Sequence, residues 1–209
     1  MRVRISYQKR LQIRYTSTLD LQSIWERSMR RASIKVEYSK GFHPQPRIQL
    51  GVPLPLGCIG LDEKVDIWLK GSLSIEEISR KLQGKLPEGL EINTIEEIMP
   101  TEKPLSSIIQ FSEYEVYLLN EETPIKDIQN RITKVLNQKE IIRTKRNGKK
   151  YDLKPLILSI TLKDDNEERP SILIKLLSQS NRTGRADEVM FALGFSITDF
   201  LVERIGSFT

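Results

Sequence analysis

The chain has 209 residues, 38% of them hydrophobic and 29% charged, with a formal net charge of +5. That length holds one large or two compact domains, and no run approaches the roughly 18 consecutive apolar residues of a membrane helix. A single cysteine, Cys58, and a single histidine, His43, exclude an internal disulfide, a zinc finger, a haem site and an iron–sulfur cluster, so no metal or cofactor is expected.

Residues 2–7 alternate apolar and polar side chains (Val3, Ile5, Tyr7), the period of a half-buried strand. Residues 11–15 repeat the pattern (Leu11, Ile13, Tyr15) and are expected to form a second strand after a tight connection at 8–10. Ser17 and Asp20 have the spacing of a capping box, and Leu21, Ile24, Trp25, Met29 and Ala32 follow at helical intervals, which predicts an amphipathic helix over about 18–32. Residues 35–60 hold four prolines and four glycines and read as structured loop, with a short strand at 48–52. A strand is expected at 65–69. Ser74 and Glu77 then open a second helix that stops before Pro87 and Gly89, and 90–98 is a further strand. This is the strand-helix-strand-strand-helix-strand order of a ferredoxin-like domain, placed at 1–99.

Residues 99–104 carry two prolines and no apolar period, so the domain boundary is placed there, with a linker at 100–110 and a second domain at 111–209. In that domain 111–119 reads as strand, and Thr123 as N-cap with Pro124 at the first helical position opens a helix with the face Ile125, Ile128, Ile132, Val135. Asn147-Gly148 is a two-residue hairpin signal joining 140–145 to a long strand near 151–162, which pairs with 172–177 across a charged loop. A helix at 185–193 ends at Gly194, and a strand at 200–205 closes the unit. The expected fold class is α+β: two tandem ferredoxin-like halves with antiparallel sheets, the second with an extra strand.

Charge is unevenly spread. Residues 1–47 hold eleven basic and three acidic residues, a net +8; residues 61–99 are net −4, and residues 139–154 are net +5. The opening MRVRISYQKR has no apolar core of a secretory leader, which predicts a cytoplasmic protein without membrane contact. No G-x-S-x-G, P-loop or G-x-G-x-x-G run exists, so acyl-transfer and nucleotide chemistry lose their usual apparatus.

Two segments carry a family likeness. Arg14-Tyr-Thr-Ser-Thr-Leu-Asp20, with Trp25-Glu-Arg27 and Arg30-Arg31-Ala32 after it, and Tyr38-Ser-Lys-Gly-Phe-His-Pro-Gln-Pro46 resemble an uncharacterised family of radical SAM-linked proteins. The likeness is close over 1–99 and looser but continuous to the C-terminus. That family's motifs read R-F-x-S-H-L-D and Y-S-x-G-F-N-P-H-P-K. Ser17, Leu19, Asp20, Tyr38, Ser39, Gly41, Phe42, Pro44 and Pro46 match them, whereas Thr18 and Gln45 stand at the family's histidines and His43 at its asparagine. The resemblance implies an accessory role beside a radical SAM enzyme, and one cysteine cannot supply the three thiolates of that enzyme's cluster, so the enzyme is expected to be a separate chain.

Arg14, Arg27, Arg30, Arg31, Lys40 and Arg47 suit a stripe that neutralises phosphates, and Tyr38, Phe42 and His43 interleave with it as stacking groups for unpaired bases. The plainer reading is a solvated helix face with cations near its C-terminus and a loop packed on the sheet. Ser17 and Asp20 are explained by capping alone, and Ser39, Gly41, Pro44 and Pro46 by a stiff turn. The KRNGKK tip at 145–150 and Arg182-Thr-Gly-Arg185 are lesser anion candidates. The leading expectation is a non-catalytic RNA-binding accessory protein, and tandem ferredoxin-like halves also occur in the RNA-processing endonucleases of CRISPR systems, a fold-level analogy. Two rivals are a protein-docking module for the radical SAM enzyme, through the acidic 61–99 surface, and a metal-independent ribonuclease with His43 as base.

Overall fold

A computed structural model describes residues 1–119, 123–145, 147–163, 170–179 and 181–209. The chain divides by its internal contacts into two units, Met1–Ile108 and Ile109–Thr209.

In the first unit β1 (Arg2–Lys9) pairs antiparallel with β3 (Ile59–Trp68) on one side and β4 (Leu90–Ile98) on the other, and β2 (Ile48–Leu50) pairs with β3. The strand order is therefore β2-β3-β1-β4, with α1 (Thr18–Arg31) between β1 and β2 and α2 (Ile75–Leu82) between β3 and β4. The alternation in β1 decides what lies inside: Val3, Ile5 and Tyr7 pack with Val65 and Ile67 against Leu21, Trp25 and Met29 of α1 and Ile78 and Leu82 of α2. The rings of Tyr7 and Trp25 meet edge-on at 5.2 Å, a favoured geometry for buried aromatic pairs. Positions 2 and 4 of the same strand point the other way, where Arg2 and Arg4 both bond to the fully buried carboxylate of Asp66.

α2 starts with the full capping box expected of Ser74 and Glu77. α1 starts with half of one. Ser17 Oγ accepts from the Asp20 backbone N–H at 3.2 Å, but the Asp20 carboxylate, one methylene shorter than glutamate, takes the Ser17 hydroxyl instead of the Ser17 backbone N–H.

The segment 11–15 is not a strand. Leu11–Ile13 is a 3₁₀ turn closed by local bonds from Ile13 to Arg10 and from Arg14 to Leu11, and its alternating apolar residues Leu11 and Tyr15 face solvent. β1 instead runs on to Lys9, through what was expected to be the tight connection. β2 stops at Leu50, short of the expected 48–52: Gly51 N–H still bonds to the Lys64 carbonyl in register with the ladder, and Pro53 two residues on has no N–H to continue it.

The second unit repeats the connectivity. β5 (Phe111–Leu118) lies between β9 (Ser171–Gln179) and β11 (Phe200–Phe208), β8 (Ile157–Lys163) pairs with β9, and every pair is antiparallel. α3 (Leu105–Ile108) is a single turn before the unit, inside the segment expected as linker, and its Leu105 is fully buried. α4 (Ile125–Leu136) buries Ile128, Ile132 and Val135, and α5 (Ala186–Ala192) buries Val189 and Met190. Pro124, not Thr123, is the N-cap of α4, because its carbonyl takes the first helical N–H groups and it has none to give.

The expected long strand at 151–162 is two pieces. β6 (Ile142–Thr144) and β7 (Lys150–Asp152) form a hairpin of their own, and a 3₁₀ turn at Lys154–Leu156 separates β7 from β8 because Pro155 cannot donate to a ladder. A two-residue strand, β10 (Arg182–Thr183), pairs with the end of β9. Among the described residues no helix is long and apolar enough to cross a membrane.

Candidate nucleic-acid interface

The loop between α1 and β2 is closed at its base by a small set of bonds. Ser39 N–H donates to the Gln45 carbonyl at 2.8 Å, and Gln45 N–H returns to Ser39 Oγ at 2.9 Å. Tyr38 and Pro46 form an isolated antiparallel bridge, and Arg47 N–H reaches the Glu37 carbonyl. Pro44 and Pro46 fix two φ angles of the return strand, and Gly41 at φ +139° makes a bend that other residues rarely adopt. Ser39, Gly41, Pro44 and Pro46 of the family motif thus shape the loop.

What that frame presents is unusual. Lys40, Phe42 and His43 are exposed at the tip, and Phe42 is 101% exposed, with no packing on the sheet at all. A fully solvated phenylalanine on a stiff loop leaves its whole apolar area available to a partner. His43 makes no hydrogen bond among the described residues, so nothing here orients it as a base.

The loop is tied to α1 by one side-chain bond: Tyr38 Oη donates to Glu26 Oε1 at 2.8 Å. That bond pushes the Tyr38 phenol above the usual tyrosine range, with burial and the Glu26 charge adding, while the Arg30 charge opposes them. Arg27 and Arg30, three residues apart, share a helix face, and Glu26 neighbours Arg30 at the i+4 position. Among the described residues Arg27, Arg30 and Lys40 are exposed and have no ion-pair partner. Tyr38 thus ties the loop that carries Lys40, Phe42 and His43 to the helix that carries Arg27 and Arg30.

The other three cations are differently placed. Arg31 donates through Nε and Nη2 to the Lys85 carbonyl, at 3.1 and 2.6 Å, and through Nη2 to Ser28 Oγ, so it fastens α1 to the turn after α2. Arg47 pairs with Glu37 at 2.6 Å and lies 4.6 Å over the Trp68 ring. Arg14 stacks on Tyr15 beyond the opposite end of α1, which is about 20 Å long at 1.5 Å per residue. Arg14, Arg31 and Arg47 are thereby committed to the protein itself or set apart from the loop.

One element of the motif region is carried by residues that motif reading passes over. Lys9, 1% exposed, donates Nζ to the carbonyls of Arg14 at 2.9 Å and Thr16 at 3.0 Å, which holds the chain leading into α1. Opposite it in the sheet, Gly60 leaves the space that the Glu63 side chain fills, for a Cβ there would lie 2.5 Å from Glu63 Cγ. Lys9, Glu63, Thr16 and Thr18 line a cavity of about 10 Å³, room for one water at most. The signal for Lys9 is the alternation of β1, which places it on the same face as Val3, Ile5 and Tyr7.

Of the lesser candidates, two are engaged. Arg185 pairs with Asp187 at the start of α5, and Lys145 lies 5.4 Å from the Tyr151 ring at the β6–β7 hairpin; Arg146 of that tip is outside the described residues. Among the described residues no group of three metal-ligating side chains comes together.

Residues 2–186 match the model of a family described as uncharacterised proteins conserved in bacteria (DUF2344). The chain belongs to that family. A search of curated proteins finds no match. Among solved structures, a chain of a Cbf5-Nop10-Gar1 complex is similar with a TM-score of 0.52 at 11% identity, over 98% of this chain and 48% of that one. This chain therefore spans about half the length of that neighbour, and the likeness is one of α+β fold alone. A protein of Galdieria sulphuraria described as unknown aligns at TM-score 0.29 and 12% identity over 98% of both chains. The first two RRM domains of yeast poly(U)-binding protein align at 0.22 and 11%, over 97% of this chain and 99% of that one. At those scores neither bears on the fold.

Proposed function

We propose that this chain is a non-catalytic RNA-binding accessory protein, cytoplasmic, built of two ferredoxin-like halves, and working beside a radical SAM enzyme carried on a separate chain. The fold reading rests on the shared connectivity of the two units: β1 lies between β3 and β4 with β2 outside β3, and β5 lies between β9 and β11 with β8 outside β9. The radical SAM reading rests on the two sequence motifs.

The observation that carries RNA binding is the fully exposed Phe42 on a stapled loop that also carries Lys40 and is tied through Tyr38 to the helix bearing Arg27 and Arg30; none of these three cations is paired with an acid among the described residues. An aromatic face with cations around it stacks a base and neutralises the adjacent phosphates, and it prefers single strands because a duplex hides its bases. The face of β1 turned away from Trp25 does not compete for this role. It is occupied by Arg2 and Arg4 bound to Asp66, by Ser6 bound to Asp62, and by Gln8 bound to Asn93.

The test is fluorescence anisotropy with a labelled single-stranded RNA and a duplex DNA of the same length, titrated from low to moderate KCl. RNA binding that falls steeply with salt and exceeds duplex DNA binding supports the reading. Salt-independent binding, or none at low salt, refutes it. The enzyme link is tested separately by co-purification of a radical SAM protein with the tagged chain after nuclease treatment.

A further inference from the structure

We propose that the free edge of β4 takes up an extended, basic segment of another protein as an added strand. The proposal stands apart from the nucleic-acid reading and uses the opposite end of the first unit's sheet. β4 is nine residues long and ends the strand order; among the described residues it pairs with β1 and with no other strand. Proteins commonly blunt such an edge with lysine, proline or a short strand. The sequence of β4, LEINTIEEI, contains none of these residues. It has one bulge, at Asn93, held by bonds to Ser6, Gln8 and the Leu61 carbonyl, and on either side of it residues 90–92 and 94–98 keep their register with β1.

Beside the edge runs an open groove of about 640 Å³ between α2 and β4, lined by Ile75, Ser79 and Leu82 of α2, by Leu86, and by Ile92 and Ile95 of β4. An added strand needs both features: an edge to give backbone bonds, and a trough for every second side chain, here of mixed character, with Gln83 and Thr94 beside the leucines and isoleucines. Ile92 and Ile95 stand opposite Tyr7 and Ile5 in the ladder, so the trough continues the core of the unit outward.

Charge selects the occupant. β4 holds Glu91, Glu96 and Glu97 and no base; Glu91 is paired with Arg10, and Glu96 and Glu97 are exposed without an ion pair among the described residues. A second copy of β4 laid antiparallel on the first would set these acids against one another, which is unfavourable for facing strand residues. Glu97, opposite Val3, lies on the trough face and Glu96, opposite Arg4, on the other, so a strand alternating apolar and basic residues places its apolar side against Ile92 and Ile95 and its cations beside Glu96.

The probe is an acetylated octapeptide alternating lysine and valine, with the glutamate–valine peptide as control, followed by fluorescence anisotropy and by amide exchange of the intact chain. The lysine peptide is expected to bind, to slow exchange along β4, and to lose several-fold in affinity in the variant Glu96→Lys. Ser79→Trp, which fills the trough and leaves the edge backbone alone, is expected to weaken it comparably, with circular dichroism confirming that both variants fold. Equal binding of the glutamate peptide, no loss in the charge-reversed or the Ser79→Trp protein, or a dimer in sedimentation that Ile95→Lys dissolves, would overturn the proposal, the last by showing a second copy on the edge.

Discussion

Tyr38 and Glu26 join the loop to the helix: the phenol donates to the carboxylate at 2.8 Å and brings an aromatic-bearing loop alongside Arg27 and Arg30. The bond exists only while the phenol is protonated. Because the folded chain holds Tyr38 above the ordinary tyrosine range, through this hydrogen bond first and then burial, the tie is fully present below about pH 10 and is lost as pH rises through the higher folded value. Burial raises Tyr117 and Tyr151 as well, so a spectrophotometric titration should show several phenols later than free tyrosine, of which one is missing in Tyr38→Phe and moves back toward the ordinary range in Glu26→Gln. Both variants should weaken RNA binding several-fold and change global stability by no more than about 0.5 kcal/mol, as expected of an exposed pair.

Lys9 predicts the reverse pattern. Its ammonium satisfies two backbone carbonyls of the chain before α1 from a buried position, so Lys9→Met, which keeps the stem and removes the donors, should cost about 1–3 kcal/mol in urea unfolding. Arg27→Ala should stay within about 0.5 kcal/mol of the parent. RNA affinity, measured where both variants are folded, should follow the opposite order.

Ser39→Ala removes the acceptor for Gln45 N–H and leaves every charge and aromatic group in place. The expected result is a drop in RNA affinity with an unchanged salt slope, since the same phosphates are neutralised while the loop is less ordered before binding. A changed slope would mean that the loop frame and the cations are not separable.

Reversing Arg27 and Arg30 together to glutamate should act on the slope itself, lowering it by about 0.7 for each phosphate of a single strand that is no longer neutralised. Affinity at moderate salt should fall at least tenfold. Reversing Arg47, which is already paired with Glu37 and stacked on Trp68, should act mainly on stability.

Elements with a full apolar period were legible in the sequence: β1, α1, α2 and β4 follow directly from Val3-Ile5-Tyr7, from Leu21-Trp25-Met29, from the Ser74–Glu77 box and from the run at 90–98. The failures share one cause, local chemistry overriding period. Leu11, Ile13 and Tyr15 alternate like a strand, yet no neighbouring strand takes their backbone groups, and Lys9 collects the following carbonyls instead. The run at 151–162 alternates well enough, but Pro155 interrupts it. In the candidate site, residue type showed which groups suit RNA. It did not show which cations were already spent: Arg31 on Lys85 and Arg47 on Glu37 are tertiary facts, with partners 54 and 10 residues away. Lys9 was hidden for the opposite reason, since a lysine that completes an inward series reads as the end of the strand.

The most direct measurement is ultraviolet crosslinking of the intact chain to a 4-thiouridine-containing single-stranded RNA, with mass-spectrometric mapping of the adducts. The account places them within residues 38–47, on Phe42 and its neighbours, and predicts that they disappear in Phe42→Ala with the fold intact. Adducts confined to the 139–154 hairpin, or none under conditions where the chain is folded and the RNA is in excess, would contradict it.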